Sequence, residues 1–517
     1  MGMAVEKKLL YGFDIGTQGS KGIIIDEDGH LLAYHYVKHE VLHPWPGWAE
    51  HDAEAVWWEE FRSVTKVLLK KSGIDPRKIH AIGCSAISPC MLPVDEAGKP
   101  LRNAILYGID TRTTSEIAEL NRIIGKEKII SVGKVELSSQ AVGPKILWYK
   151  QHEPALFART YKFLTASSYL TFRLTGAYTM DYCNAVGYNP LFNCDKRVWD
   201  GEMCRAVGVD VEQLPTLMPS YQIAGYVNDA AAKETGLSPD TVVIAGTGDF
   251  AAELLSTGAE KGDTILVYGS TMLIQNLSGA DDFRPGLFLS PFPLMDLYLT
   301  GGSTATAASI TKWFRDQLGQ PELEAEQNGD ENAYDLLASL AATSPPGSNG
   351  LVVLPYFSGE RTPLMDENAR GMIFGLTLGH TRADLYRAVL EGVAYSVRHN
   401  VEVMRESGLD ITGFVSTGGG VKNRMWIQIV SDVTGLAQRC LLLTGGSPAG
   451  CAYLAGYGSG LFNGMSELRS KWITQEQLVE PDLQNTEKYN RLFEIYKELY
   501  LCTKKQMHQI ADMQAMG

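Results

Sequence analysis

Three glycine-rich segments carry the residues best suited to chemistry. The first, GFDIGTQGSKG, sets Asp14 at the end of an apolar run and follows it with Gly16, Thr17, Gly19 and Lys21. Small residues let backbone N–H groups approach an anion, so this turn reads as half of a phosphate clamp, with Lys21 adding positive charge. A carboxylate beside such a turn can hold Mg2+ through its waters, because that ion keeps much of its hydration and takes only one or two protein oxygens. Asp14 is the candidate for that role. A tight β-hairpin in which Asp14 caps a turn accounts for the same residues without any ligand.

The second segment, GTGDFAAELLSTG, sets Asp249 between an apolar strand-like run and a helical one. An alcohol hydroxyl is a poor nucleophile, and a carboxylate placed there could take its proton as a phosphoryl group is transferred. Capping the following helix is the structural alternative. In the third segment, STGGGVKNRMWIQIVSDVTG, Gly418, Gly419 and Gly420 leave room for a flat base. Asn423 can bond a nucleotide or cap the helix that turns Trp426, Ile427 and Val430 toward the core.

Strands must hold these turns. Apolar runs at 9–13, 22–25 and 31–37 are separated by tight-turn signals, a helical pattern covers 53–71, and short strands fit 79–84 and 91–94. The pattern recurs in part at 241–245, followed by the GTGD turn, a helical segment and the hairpin TILVYGSTMLIQ. In that hairpin Gly269, Ser270 and Thr271 parallel Gly16 and Thr17, which suggests two related α/β lobes, each offering a phosphate-facing loop. The expected domains are 1–256 and 257–517. Near the end, Tyr489, Leu492, Phe493, Tyr496, Leu499 and Tyr500 fall on one helical face. Such a stripe suits the domain's own core or the contact of a homodimer.

Composition narrows the class of partner. A chain of 517 residues exceeds what one core usually organises. With 45% apolar and 21% charged residues it has the balance of a globular protein. The net charge of -14 argues against a long nucleic-acid-binding surface, which needs clustered Lys and Arg. No apolar run approaches membrane-spanning length, and the N-terminus lacks the pattern of a signal peptide. Eight cysteines fall in no metal-ligand spacing, so a reducing cytoplasm is the expected location.

Together these residues resemble the FGGY family of carbohydrate kinases, a branch of the actin and hexokinase superfamily, over nearly the whole chain. The most specific stretch is SGERTPLMDENARGMIFGLTLGHTRADLYRAVLEGVAYSVRHN, where the spacing of Gly371, Gly375, Asp384 and Glu391 is similar to a family signature. PGWAEHDAEAVWWEEF, TGGGVKN and GSPAGCAYLAG also look like family segments and occur in the expected order. The resemblance implies two actin-like (ribonuclease H-like) domains with a cleft between them, and ATP with Mg2+ as cofactors. It implies a first phosphate segment at Asp14, Gly16, Thr17 and Lys21, a second at Gly269, Ser270 and Thr271, and Ser303 and Thr304 near the phosphates. Gly418, Gly419, Gly420 and Asn423 would line the adenine end, and Asp249 matches the catalytic aspartate.

The sugar segments depart from the xylulokinase-like subgroup. CSAISPCMLPVD puts Ser88 and Pro89 where that subgroup carries Met and His, and ILYGIDTRT has Gly108 where many relatives carry Trp. AVGPKILWYKQ keeps Lys145 and Trp148 of another signature but not the residues expected upstream. Ser88, Asp110 and Arg112 are the candidate sugar contacts, although a strand-end salt bridge or a helix cap suits Asp110 and Arg112 equally well. A ketopentose such as xylulose or ribulose is the leading acceptor, with a tetrulose, a hexulose or a polyol as alternatives. A nucleotide-dependent sensing protein on the same fold is the rival from another class.

Overall fold

The computed structural model describes residues 7–279, 287–294, 296–442, 445–473 and 475–515. They form two compact units. The first comprises the described residues of Met1–Gly258, Leu289–Tyr298 and Thr444–Thr474, and the second those of Ala259–Phe288, Leu299–Leu443 and Gln475–Gly517.

The first unit is built on a mixed sheet. The strand Leu9–Ile15 is buried throughout and lies between Gly19–Asp26, antiparallel, and Ile79–Ala86, parallel. A strand buried along its length must be covered on both faces. Alternation sends Tyr11 and Phe13 to one face and Gly12 to the other. Tyr11 lies 2.8 Å from the Thr65 hydroxyl, and the Phe13 ring packs 4.9 Å from that of Phe61, both from the helix Glu59–Ser72. On the opposite face the helix Gly446–Gly458 comes so close that a Cβ on Gly12 would lie 1.8 Å from the Pro448 carbonyl oxygen. This packing draws a distant stretch of sequence into the first unit. The sequence-based division at 256 therefore differs from the structure in two segments, 289–298 and 444–474, which return to the first unit.

The second unit repeats the arrangement. Thr264–Tyr268 and Met272–Ser278 form an antiparallel hairpin, and Thr264–Tyr268 also runs parallel to Gly413–Thr417, which leads on to Ala437–Leu441 and Glu476–Val479. The helix Arg382–Glu406 begins with a capping box. Asp384 accepts from the Thr381 N–H at 2.8 Å, from the Ser344 hydroxyl at 2.6 Å and from the Asn349 amide at 2.8 Å. Burial opposes the Asp384 charge, but these donors overcome it and hold the carboxyl at about 2. Glu391, about two turns further along the helix, accepts from Arg387, Gly347 N, Ser348 and Tyr489. Both signature acids therefore tie elements together. The helix Leu483–Ala515 buries Tyr489, Phe493, Tyr496 and Tyr500 in the core of its own unit, where Tyr496 meets Tyr356 at 2.7 Å. Among the described residues, no helix is long and apolar enough to cross a membrane, and all eight cysteines are free thiols.

Candidate active site

The first hairpin sets Asp14 opposite Lys21, with 3.5 Å between Lys21 Nζ and Asp14 Oδ2. On its other side Asp14 faces Ser85, whose hydroxyl donates to Asp14 Oδ1 at 2.7 Å. The turn is closed by the Gly16 N–H donating to the Gly19 carbonyl at 2.8 Å. A Cβ on Gly19 would meet the Tyr36 hydroxyl at 2.3 Å, so any larger residue there would displace the Tyr36 ring. Beneath the turn, His39 Nε2 lies 3.1 Å from the Gly16 carbonyl oxygen and its Nδ1 lies 2.8 Å from Glu60. Among the described residues the N–H groups of Thr17 and Gln18 reach no protein acceptor. Two unclaimed donors beside a lysine make a geometry that can receive an anion.

Asp249 opens the helix Asp249–Leu255 and is half-buried. Its Oδ1 accepts from the next N–H, that of Phe250, at 2.7 Å, and the cap position belongs to Gly248, so Asp249 is not the helix cap. Burial, reinforced by the nearby charge of Asp14 and opposed by Lys21, pushes its carboxyl up to about 8. Such a carboxylate binds a proton far more readily than an exposed one does, which suits a general base working near neutrality. Lys21, whose charge burial disfavours, is held protonated by Asp14, Glu253 and Asp249.

Neutral groups also approach this base. The Ser88 hydroxyl donates to Asn184 Oδ1, and a Cβ on Gly248 would lie 3.1 Å from Ser88 Cβ, which places Ser88 beside the start of the Asp249 helix. Asn184 in turn donates to Asp181, which is fully buried and also accepts from Ser220 at 2.6 Å and Thr247 at 2.7 Å. The Tyr107 hydroxyl lies 2.9 Å from that of Thr17. Burial raises the Tyr107 phenol, and the nearby Asp249 charge adds to the rise. Asn184, Asp181 and Tyr107 escaped the sequence reading. Only Tyr107 had a signal, standing next to the Gly108 that departs from the family pattern.

Asp110 and Arg112 are both buried, and Arg112 grips the two oxygens of Asp110 at 2.9 and 2.7 Å and Glu50 at 2.8 Å, with the Trp48 ring 3.7 Å from its guanidinium. The Ala49 N–H donates to Asp110 at 2.7 Å. The pair is a buried salt bridge, which favours the structural alternative for these two residues over a sugar contact. Lys145 is likewise buried, donating to the Ser139 carbonyl, and burial lowers it to about 8.

In the second unit the turn of Gly269, Ser270 and Thr271 is anchored by its carbonyls. Ala308 N donates to Gly269 at 3.0 Å, and Ala307 N and the Ser309 hydroxyl donate to Ser270 at 2.8 and 2.9 Å. The N–H groups of Ser270 and Thr271 reach no acceptor among the described residues, as in the first turn. Thr304 lies behind this turn. It is fully buried, its hydroxyl accepts from Met272 N and donates to the Thr306 carbonyl, and it fixes the hairpin from behind. Ser303 is half-buried on the same segment. Gly418 has φ of 98°, and a Cβ there would meet the Tyr268 backbone at 2.7 Å, whereas nothing lies within 4 Å of the corresponding point on Gly419. That opening admits a flat group. Asn423 caps the helix Arg424–Thr434 through the Trp426 N–H at 3.0 Å, so its carbonyl oxygen is already engaged.

The N-terminal domain of the FGGY family of carbohydrate kinases matches residues 9–256, and its C-terminal domain matches 269–459. Xylulose kinase of Bacillus subtilis (strain 168) is 30% identical over 500 residues, covering 96% of this chain and 97% of that protein. Glycerol kinase 2 of Streptomyces coelicolor is 30% identical over 477 residues, covering 89% and 90%. The solved structure of xylulose kinase from Rhodospirillum rubrum superposes with a TM-score of 0.89 at 29% identity, covering 97% of this chain and all of that one. Two hairpins with unclaimed turn donors and an aspartate at the head of a helix thus stand in a chain matched on both domains, and this protein belongs to the FGGY family of carbohydrate kinases, ATP-dependent phosphotransferases that act on sugars.

Proposed function

We propose that this kinase transfers the γ-phosphoryl group of ATP to a hydroxyl of a neutral ketopentose such as xylulose or ribulose, with Asp249 as the general base. The observation that carries the reading is the Asp249 carboxylate, raised by burial and by Asp14, beside neutral hydrogen-bonding groups from Ser88, Asn184 and Tyr107. Hydroxyl and amide groups suit a polyhydroxylated acceptor without a charge of its own. Xylulose kinases among the full-length relatives support the same acceptor class. A glycerol kinase relative makes a polyol the second reading.

Asp14, buried at the end of the strand that leads into the Thr17–Gln18 turn, offers hard oxygens that fit a hydrated Mg2+ held largely through water. When bound, that ion would offset the negative charge of the phosphates. Lys21 adds a fixed positive charge to the same turn. Asp249 takes the proton of the acceptor hydroxyl as that oxygen attacks. In the second unit, Ser270 and Thr271 N–H groups would receive phosphate oxygens, with the base over Gly419 and Gly420.

The test is ADP release with Mg-ATP against pentuloses, tetruloses, hexuloses and polyols. Sugar-dependent turnover fastest with a pentulose is the expected result. A polyol as the best acceptor would move the assignment to the second reading, and no acceptor-dependent turnover with ATP still bound would favour a sensing role.

A further inference from the structure

Glu360 is a buried acid, 4% exposed, that the catalytic scheme does not use. Among the described residues no Lys or Arg forms a salt bridge with it, yet both of its oxygens are engaged. Oε1 accepts from the Ala305 N–H at 2.7 Å and from the Arg361 N–H at 2.8 Å, and Oε2 accepts from the Ser396 hydroxyl at 2.9 Å. An acid taken out of water without a counter-ion is costly unless hydrogen bonds hold it, and burial pushes this carboxyl up to about 7 even with three donors. A core position with no further task would be filled more stably by an apolar residue.

The task is visible in what Ala305 belongs to. Residues 303–309 form the back wall of the second hairpin. Thr304 N donates to the Met272 carbonyl at 2.9 Å, Met272 N donates to the Thr304 hydroxyl at 3.0 Å, and Ala307 and Ala308 hold the carbonyls of Ser270 and Gly269. Of these residues, Ala305 is the one whose N–H is held by a side chain from another part of the unit. The same wall is fixed at its start, where Thr362 N donates to the Ser303 carbonyl at 3.2 Å, and Thr362 is itself held by Asn400 of the helix Arg382–Glu406 at 2.7 Å. Ser396 lies one turn before Asn400 on that helix. Glu360 thus links the long helix of the core to the wall that orients the Ser270 and Thr271 N–H groups.

We propose that Glu360 is a positioning residue for ATP, fixing the second phosphate turn through the Ala305 N–H by the reach of its Oε1 and not by its charge. The proposal rests on the reading that this turn receives phosphate. Backbone donors aimed at an anion stabilise it only while their directions are held, so loosening the wall weakens ATP binding more than it slows transfer once ATP is bound.

Two conservative variants separate reach from charge. Glu360→Gln keeps Oε1 in place and removes the charge, while Glu360→Asp keeps the charge and draws the oxygen about one methylene away from Ala305. The KM for ATP, kcat, the KM for the acceptor and the melting temperature would be measured for each, beside Ser270→Asp, which sets a negative charge on the exposed turn. The expected result is a KM for ATP within about twofold of wild type for Glu360→Gln and raised about tenfold for Glu360→Asp, with kcat and the acceptor KM little changed. Ser270→Asp should raise the KM for ATP at least as much. If both Glu360 variants only lower the melting temperature while Ser270→Asp raises the KM for ATP, Glu360 is merely structural and the inference fails alone. If Glu360→Gln is the more damaged variant, charge rather than reach is at work, and the inference is overturned. If Ser270→Asp binds ATP normally, the phosphate reading of the turn fails and takes the inference with it.

Discussion

The two hairpins share a backbone plan and differ in their electrostatics. In the first, Asp14 and Lys21 face each other across the strands, Ser85 holds Asp14, and Asp249 and Glu253 add further charge nearby. In the second, the turn carries Gly269, Ser270 and Thr271 and is braced by backbone N–H groups and neutral hydroxyls, with Glu360 set behind the wall. One fold unit used twice therefore supplies two kinds of site. The first clusters charged groups that shift one another's proton affinity, and the second presents N–H dipoles. Charged groups act over several ångströms, whereas N–H dipoles act only when aimed.

The largest effect that would break this comparison comes from Lys21→Met. It should lower kcat by about 100-fold, the scale seen when a charged or oriented donor is removed from a developing charge. It should also move the acid limb of the kcat/KM profile to higher pH, because Lys21 opposes the rise in the Asp249 carboxyl. An unchanged limb would mean that Lys21 does not act on the base. Ser270→Ala in the second turn should change the KM for ATP by no more than about threefold, since the backbone N–H remains. An effect as large as that of Lys21→Met would erase the distinction between the turns.

The stability of Asp249→Asn sharpens the same contrast. The Asp249 carboxyl is held above its ordinary value of 3.8, at about 8, so the folded chain binds this proton more tightly than the unfolded chain does. The stability it contributes is complete below about pH 4 and is lost as pH rises through about 8. Asparagine has no such loss. The variant should melt clearly above wild type at pH 8, on the order of 10 °C for a shift of this size, and close to it at pH 4, as followed by differential scanning calorimetry. A lower melting temperature at pH 8 would show that the wild-type charge is not strained. Asp384→Ala should do the opposite, lowering stability by about 1–3 kcal/mol through loss of the capping box while kcat/KM per folded molecule stays within about twofold.

Asp384 and Arg112 illustrate what the sequence could convey. The stretch around Asp384 is the most specific part of the family resemblance, yet its acids cap a helix and join elements, so the strongest signal marks architecture and not chemistry. The hairpins, their turns and Asp249 were legible because strand periodicity and glycine-rich turns are local properties of the chain. Asp110 and Arg112 were ambiguous for the opposite reason. Whether a charged side chain faces a ligand or a partner depends on Glu50 and Trp48, about sixty residues earlier, and no local pattern records that pairing. Asn184 was invisible because the Asp181, Ser220 and Thr247 cluster that orients it assembles only in three dimensions. The return of Gly446–Gly458 to the first unit has the same origin, in the fit of Pro448 against Gly12.

The central claim is that Asp249 takes the proton of the acceptor. Its most direct test is acceptor-dependent ADP release by Asp249→Asn at saturating Mg-ATP, with ATP affinity measured in parallel by calorimetry. The account predicts turnover reduced by about 1,000-fold with the ATP dissociation constant within about threefold of wild type. Turnover within tenfold of wild type would contradict it and would require the proton to leave by another route.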